Sequence, residues 1–312
     1  MTRAIAFTEF GSADVLHPVE IDLPAPGPGQ VRIAVRAAGV NPVDHKIRSG
    51  GLAELFPVVF PHVPGFEAAG VVEAVGEGVD AVAVGGEVVG PTVGGAYAEH
   101  ALLDAARLVT RPAELGWEQA AGLPVATETA WRALDLLDLL GPGEGRTLLL
   151  HGAAGGVGTL VSQFARARGL RVIGTASEAN HAYLRELGVI PVAYGDGLAD
   201  RVRALAPEGV DAALDAAGRD GAVAVSIELT GGTDRVLTIA DAAGAQELGV
   251  RFTAGGDGPD HSRTALAAAL ALHAAGTLVL PVHEAHPLGD AARAQLASEH
   301  GHLRGKIVLT VG

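Results

Sequence analysis

The stretch LLLHGAAGGVG at residues 148–158 decides the fold of this 312-residue chain. Its three leucines predict a strand that is buried on both faces, and the glycines that follow permit a tight turn. Beyond the turn, apolar residues recur at helical spacing until Gly169 ends the predicted helix. In this setting backbone amides at a helix N-terminus can bind a pyrophosphate. The stretch therefore predicts a dinucleotide-binding unit, although a tight strand-to-helix turn without a ligand has the same local pattern.

Downstream of this unit, continuous apolar runs alternate with helical patterns, which is typical of a doubly wound parallel sheet. The runs lie at 170–174, 189–194, 210–215, 235–239 and 250–254, and the helical patterns at 181–187, 200–206 and 262–275. Upstream, short strand-like runs separated by Gly and Pro predict a barrel-like β domain. From Thr277 the chain returns to short strands and one helix near 290–299. We expect this last part to complete the β domain, so that residues 1–122 and 277–312 surround a nucleotide-binding domain at 123–276.

Composition excludes several classes of function. The chain has no cysteine, which removes disulfides, thiolate nucleophiles and cysteine-containing zinc sites. Its 22 basic and 36 acidic side chains give a net charge of −14, so nucleic acid and anionic membranes are not expected as partners. The N-terminus lacks the apolar core of a signal peptide, and the apolar stretch at 265–276 is too short to span a bilayer. We expect a soluble, cytoplasmic protein.

The end of the second predicted strand bears on the choice of dinucleotide. An NAD site usually has Asp or Glu there to bond the ribose 2′-hydroxyl. Here the strand runs into Ser177, and Glu178 follows it. A serine at this position favours a 2′-phosphate, which a carboxylate would repel, whereas Glu178 has the alternative interpretation of a solvated acid at a helix start. The sequence therefore favours NADPH.

Motifs along the whole chain occur in a characteristic order. They are AGVNPVD at 38–44, RSG at 48–50, PGFEAAGVV at 64–72, GAYAE at 95–99, LPVATETAW at 123–131, HGAAGGVG at 151–158 and GKIV at 305–308. The series resembles the quinone oxidoreductase (zeta-crystallin-like) branch of the medium-chain dehydrogenase/reductases. The resemblance implies an α/β fold: a Rossmann domain with a doubly wound parallel sheet, inserted in a discontinuous GroES-like β-barrel domain. We also expect a homodimer, formed through the predicted edge strand at 250–254.

The resemblance also implies that no metal takes part. Zinc-dependent relatives have a histidine ligand in a Gly-His-Glu block, whereas this chain has Gly65-Phe66-Glu67. Phe66 cannot bind zinc, and His62 in its Pro-rich loop is better interpreted as structural or solvated. Without zinc to polarise an oxygen, the favoured acceptors are quinones and enones, to which hydride addition is already easy.

Four candidate catalytic residues follow from the resemblance, and most have a structural alternative. Asn41 is either an amide donor to substrate or a turn residue before Pro42, and Asp44 is either a site residue or a structural acid. Lys46 stands where relatives often have Tyr and is either a donor to substrate oxygen or a surface lysine. Thr129 matches a threonine at the start of the helix that leads into the Rossmann domain. Tyr97 is expected to be a packing residue, although a tyrosine at the substrate site could donate a proton.

The resemblance and the ends of the predicted strands give the cofactor site. Tyr194 matches a tyrosine that contacts the 2′-phosphate, and Asn180 stands where the family commonly has Lys. The predicted cofactor-binding residues are Ala154, Gly155, Gly156, Val157, Gly158, Ser177, Asn180, Tyr194, Ala217, Ile239 and Phe252. Asp215 and Asp241 either line the crevice at the strand ends or cap turns.

The sequence thus predicts an NADPH-dependent, zinc-independent reductase of quinones or α,β-unsaturated carbonyls. Two alternatives remain open. One is an enoyl reductase of a biosynthetic pathway, which would differ in the size of its substrate pocket. The other is an NADPH-binding protein with a structural or regulatory role and no turnover.

Overall fold

The computed structural model describes residues 1–219, 221–256 and 258–312. Within them the chain divides into two compact units, Met1–Val125 with Ser262–Gly312, and Ala126–His261. The helix Ser262–Ala274 groups with the first unit, whereas the division predicted from sequence assigns it to the nucleotide-binding domain.

The first unit is built mainly from antiparallel strands. Its strands are β1 (Thr2–Ala6), β2 (His17–Ile21), β3 (Gln30–Val40), β4 (Glu67–Val75), β5 (Glu87–Val93), β6 (His100–Asp104), β7 (Val109–Thr110), β14 (Val282–Pro287) and β15 (Lys306–Thr310). Its helices are α1 (Pro42–Arg48), α2 (Trp117–Ala121), α9 (Ser262–Ala274) and α10 (Ala291–His300). Short 3-10 turns cover Ala13–Val15 and Leu288–Asp290.

The first unit contains a closed ring of strands. β3 pairs with both β4 and β6, and β5 pairs with both of them as well, so the four strands form a barrel. Along β3, Val31, Ile33 and Val35 alternate with less buried residues and point into its core. The end of β3 also pairs with β15, which brings residues from the chain's last segment beside β3 and β4.

The second unit alternates strands and helices. Its strands are β8 (Thr147–His151), β9 (Arg171–Thr175), β10 (Ile190–Val192), β11 (Ala212–Asp215), β12 (Val236–Thr238) and β13 (Arg251–Phe252). Its helices are α4 (Gly156–Arg166), α5 (His181–Glu186), α6 (Leu198–Leu205), α7 (Ala222–Thr230) and α8 (Ala242–Leu248), with a 3-10 turn at Glu178–Asn180. The helix α3 (Pro124–Leu136) leads into this unit from the first.

The six strands of the second unit form one parallel sheet in the order β10-β9-β8-β11-β12-β13. Leu148, Leu149 and Leu150 of β8 are fully buried, as expected for a strand covered on both faces. The order of the strands reverses beside β8, and ligands of such sheets bind at the carboxyl ends of the strands at this point. The predicted fold class, a Rossmann domain with a GroES-like barrel, is confirmed.

Several local predictions differ from the structure. The Asn41-Pro42 turn is the start of helix α1, because Asn is a favoured N-cap and Pro is compatible with the first helical position. Thr129 lies in the second turn of α3 and not at its start. The run at 250–254 contributes only the two residues of β13. In the described part of the chain, no helix combines the length and apolar character needed to cross a membrane.

Candidate functional site

The glycine loop of the second unit joins β8 to α4. Gly152 has a φ of +75°, a conformation that glycine adopts without strain. Gly155 is the N-cap of α4. A Cβ on Gly158 would lie 2.3 Å from the carbonyl oxygen of Gly152, so a glycine is needed for this close approach of helix and loop. The first N–H groups of α4 are therefore available as donors for an anion such as a pyrophosphate.

The neighbouring strand β9 holds the loop in place. The backbone nitrogens of Gly152 and Ala153 donate to the hydroxyl and carbonyl oxygens of Thr175, at 3.2 and 3.1 Å. A Cβ on Gly174 would lie 2.6 Å from the Ala153 side chain, so this glycine makes room for the loop. Of the predicted loop residues, Ala154 and Gly158 are buried, and Gly155, Gly156 and Val157 are half-buried. The loop fits a dinucleotide.

Asp215, at the carboxyl end of β11, holds the backbone segments that follow β11 and β12 in place. Its fully buried carboxylate accepts from the backbone nitrogens of Ala217 and Gly218, both at 2.9 Å, and from the Thr238 hydroxyl at 2.8 Å. Its backbone oxygen accepts from the nitrogen of Ile239. Asp215 therefore fixes the two segments that carry the predicted residues Ala217 and Ile239.

His151 lies opposite Asp215 in the register of β8 and β11. Burial lowers the pKa of its imidazole to about 4, although the nearby Asp215 acts in the opposite direction. The ring is therefore neutral near pH 7, and its Nε2 is 3.0 Å from the Ser226 hydroxyl. Asp241, which the sequence placed with Asp215 as lining the crevice or capping a turn, caps α8: its carboxylate accepts from the backbone nitrogen of Gly244 at 2.8 Å.

The residues that are predicted to bind the 2′-phosphate of the cofactor follow β9 and β10 in the chain. Ser177 is the half-buried N-cap of a 3-10 turn, and its hydroxyl accepts from the Asn180 amide at 3.2 Å. Glu178 is exposed in that turn, which agrees with its interpretation as a solvated acid. Tyr194 is 41% exposed, and the Arg201 guanidinium donates to its carbonyl oxygen and to that of Ala193. Sequence reasoning missed Arg201, which places a positive charge beside the Tyr194 loop.

In the first unit, Asp44 joins α1 to Tyr97. Its Oδ2 accepts from the backbone nitrogen of Asn41 at 2.9 Å and from the Tyr97 hydroxyl at 2.8 Å. Burial raises the pKa of Asp44 to about 7, and these two hydrogen bonds and Lys306 oppose the rise. Burial and the nearby Asp44 raise the pKa of Tyr97 as well. Tyr97 is fully buried, as expected for a packing residue.

Asn41 also belongs to a buried cluster with Glu67 and Lys306. Its Nδ2 donates to Glu67 Oε1 at 2.7 Å, and Lys306 Nζ donates to its Oδ1 and, at 2.8 Å, to Glu67 Oε1. The other oxygen of Glu67 accepts from the backbone nitrogen of Val125 at 2.7 Å. Sequence reasoning named neither Glu67 nor Lys306 as a site residue. Their presence in the PGFEAAGVV and GKIV motifs was the available signal.

The remaining candidates lie on helices. Lys46 is half-buried on α1, and Thr129 is half-buried on α3. Glu128, beside Thr129, forms an ion pair with Arg132 at 2.9 Å, and the buried Arg132 also donates to the Thr253 hydroxyl. Arg132 therefore ties α3 to the segment that follows the half-buried Phe252, a link that the sequence did not reveal.

Comparison with known proteins covers both units. Residues 27–113 match the family model "Alcohol dehydrogenase GroES-like domain" and residues 187–309 match "Zinc-binding dehydrogenase". Human quinone oxidoreductase is 40% identical over 178 residues, which are 56% of this chain and 53% of that protein. The chain thus spans about half the length of the curated relatives that it matches.

Solved structures that match over the full length of both chains include a Pseudomonas protein and a mycobacterial protein. The Pseudomonas syringae pv. tomato DC3000 quinone oxidoreductase is 31% identical, with a TM-score of 0.83 and coverage of 100% of each chain. The mycobacterial protein Rv1454c, complexed with NADPH, has the same identity, TM-score and coverage.

The residues present do not fit the zinc ion that one family description implies. Phe66 has no lone pair to offer, and its ring packs edge-on against Phe56 with centroids 6.0 Å apart. The adjacent Glu67 carboxylate is already bonded to Lys306, Asn41 and a backbone amide. Among the described residues, no group of three or more His, Cys, Asp or Glu side chains is arranged to hold a metal ion.

Proposed function

The chain belongs to the quinone oxidoreductase-like family of medium-chain dehydrogenases/reductases, and we propose that it reduces a quinone or an α,β-unsaturated carbonyl with NADPH and without zinc. The observation that carries the proposal is the glycine loop at the carboxyl end of β8, which leaves the start of α4 open to a pyrophosphate. The match to a quinone oxidoreductase over the whole chain supports the class of acceptor.

We assign the binding of NADPH to the second unit. The N–H groups of the first α4 turn bind its pyrophosphate, and the segments fixed by Asp215 contact its sugars and nicotinamide. Ser177, Asn180 and Tyr194 bind the 2′-phosphate, and the positive charge of Arg201 beside Tyr194 favours it. The NADPH in the mycobacterial relative supports this choice of cofactor.

NADPH, when bound, supplies the hydride for the reaction. The protein must then stabilise the negative charge that develops on the acceptor's oxygen. We assign this role to the Nδ2–H group of Asn41, an amide held by buried partners and therefore preorganised. Lys46, half-buried on α1, is the proton donor that we assign, because the Tyr97 hydroxyl already donates to Asp44.

Three further assignments complete the proposal. Phe66, in place of a histidine ligand, leaves activation of the acceptor to hydrogen bonds instead of a metal. Thr129, half-buried on α3, contacts the nicotinamide end of the cofactor. We also assign a homodimer formed through β13, since β12 covers one side of this edge strand and a partner would cover the other.

Purified protein mixed with NADPH and either 1,4-benzoquinone or a short enone tests the proposal, with the nicotinamide absorbance as readout. We expect acceptor-dependent oxidation of NADPH, unchanged by a chelator, and a loss of about 100-fold in kcat for Asn41→Ala. Saturable NADPH binding without reduction of either acceptor class would instead support a non-catalytic NADPH-binding protein.

A further inference from the structure

Lys306 is a buried cation in the first unit, and its ammonium contacts two side chains. It is 5% exposed, Glu67 is fully buried and Asn41 is 5% exposed, so the three groups interact away from water. Lys306 Nζ donates to Oδ1 of Asn41 and to Oε1 of Glu67, and Asn41 Nδ2 donates to the same Glu67 oxygen. A buried ion pair of this kind is costly to assemble and contributes little net stability on its own.

Neighbouring glycines make room for this cluster. A Cβ on Gly39 of β3 would lie 2.1 Å from Glu67 Oε1, and a Cβ on Gly122 would lie 3.2 Å from Lys306 Cγ. Glu67 begins β4 and Lys306 begins β15, and both strands pair with β3. Glycine at these two positions therefore leaves space that the charged side chains of Glu67 and Lys306 occupy.

The charges of this cluster determine which way the Asn41 amide points. An ammonium group can only donate, and an ionised carboxylate can only accept. With the amide reversed, its NH₂ group would face the ammonium and its oxygen would face the carboxylate, so both hydrogen bonds would be lost. Lys306 thus donates a hydrogen bond to Oδ1, and Glu67 accepts a hydrogen bond from one of the two N–H groups of Nδ2. The other N–H group of Nδ2 is the one that, in our proposed function, donates a hydrogen bond to the acceptor's oxygen.

We propose that Lys306 is a positioning residue, which acts through Asn41 so that the substrate meets an N–H donor and not the amide oxygen. This inference rests on the proposed function. Such an arrangement would favour acceptors with a carbonyl or quinone oxygen, because that oxygen becomes more negative as reduction proceeds. The ammonium also polarises the amide from its oxygen end, and this strengthens the N–H donor.

A double-mutant cycle tests the inference. With NADPH saturating, we expect Lys306→Met to lower kcat about tenfold or more, a loss of about 1.4 kcal/mol of transition-state stabilisation. The NADPH dissociation constant should change less than about twofold, because the lysine lies outside the proposed cofactor site. In an Asn41→Ala background the same substitution should change kcat less than about threefold. An equal loss in both backgrounds would overturn the inference.

A second variant separates positioning from stability. Lys306→Met alone leaves the Glu67 charge buried and uncompensated, whereas Lys306→Met with Glu67→Gln removes both charges. We expect the double variant to regain stability in urea unfolding while kcat stays low. Recovery of kcat together with stability would show that Lys306 only stabilises the fold. Arg111→Met is the matched control, since Arg111 is a buried cation that is paired with Glu87 and donates to the backbone oxygens of Pro112, Ala113 and Leu115.

A readout independent of turnover distinguishes this inference from the proposed function. The side-chain amide signals of Asn41 in a ¹⁵N NMR spectrum, identified by their absence in Asn41→Ala, should move in Lys306→Met and stay in place in Arg111→Met. Unmoved signals in Lys306→Met would overturn the positioning role. Moved signals in a protein that reduces no acceptor would overturn the proposed function and leave the amide's orientation by Lys306 supported.

Discussion

Ser177 stands just beyond β9, where a carboxylate would select against a 2′-phosphate. We expect Ser177→Asp to lower kcat/KM for NADPH about tenfold or more, because a negative charge there repels the phosphate at a cost of about 1.4 kcal/mol. The kcat/KM for NADH should fall much less. Steady-state kinetics with both cofactors measures the shift. Ser177→Asn, which adds similar volume without charge, is the control, and an equal loss with both cofactors in Ser177→Asp would contradict the assignment.

Asp44 makes the stability of the protein depend on pH. Burial raises its pKa in the folded state to about 7 from an ordinary value of 3.8, so the folded state binds this proton more tightly than the unfolded state. Its contribution to stability is therefore greatest below about pH 4, falls as the pH rises towards 7 and is constant above that. The slope is at most about 1.4 kcal/mol per pH unit.

Asp44→Asn isolates this effect, since an amide oxygen can still accept from Asn41 and Tyr97. We expect the wild-type free energy of unfolding to decline relative to the variant between pH 4 and pH 7, measured by urea unfolding at several pH values. Asp80→Asn, which removes an exposed carboxylate, is the control and should not show this relative change. The same pH dependence of the free energy of unfolding in Asp44→Asn and the wild type would contradict the prediction.

At the scale of elements, the junction of β8 and α4 depends on the absence of a side chain at Gly158. A Cβ there would meet the Gly152 carbonyl and the Ala153 backbone, which cannot move away as a flexible side chain could. We expect Gly158→Ala to lower the free energy of unfolding by about 1–3 kcal/mol. By displacing the loop it should also raise the NADPH dissociation constant about tenfold or more, a change of about 1.4 kcal/mol.

Urea unfolding and titration of nicotinamide fluorescence measure these two effects. Gly141→Ala is the matched control in the same unit, because a Cβ at Gly141 would meet no atom within 4 Å. It should leave NADPH binding unchanged. Wild-type affinity for NADPH in a folded Gly158→Ala protein would show that the loop is not the cofactor site.

The elements also show which features a sequence can reveal. The glycine loop is predictable because a strand, a turn and a helix start lie within eleven consecutive residues. Helix α1 was missed because Asn41 and Pro42 are equally suited to a turn and to a helix start. Glu67 and Lys306 are 239 residues apart, and their contact depends on the pairing of β15, β3 and β4. Periodicity and local spacing contain no information about such a pairing.

At the scale of the whole molecule, β13 ends the six-stranded sheet beside β12. Leu248, the last residue of α8, is 39% exposed and lies three residues before this strand, and Phe252 within the strand is half-buried. Partly exposed apolar side chains in an edge strand, or just before it in the chain, favour pairing with another chain. A two-fold axis would bring the edge of one copy against the same edge of the next, so each substitution acts twice in the assembly.

We therefore expect the protein to have a solution mass close to twice its chain mass of 31.4 kDa, measured by light scattering after size exclusion. Leu248→Lys should raise the dimer dissociation constant more than about tenfold, because burying a leucine contributes about 1.5–3 kcal/mol and a lysine does not bury as readily. Val84→Lys, at a 63% exposed position in the first unit, should leave the mass unchanged. A monodisperse wild-type monomer at micromolar concentration would rule out the β13 interface, and a dimer unaffected by Leu248→Lys would place it elsewhere.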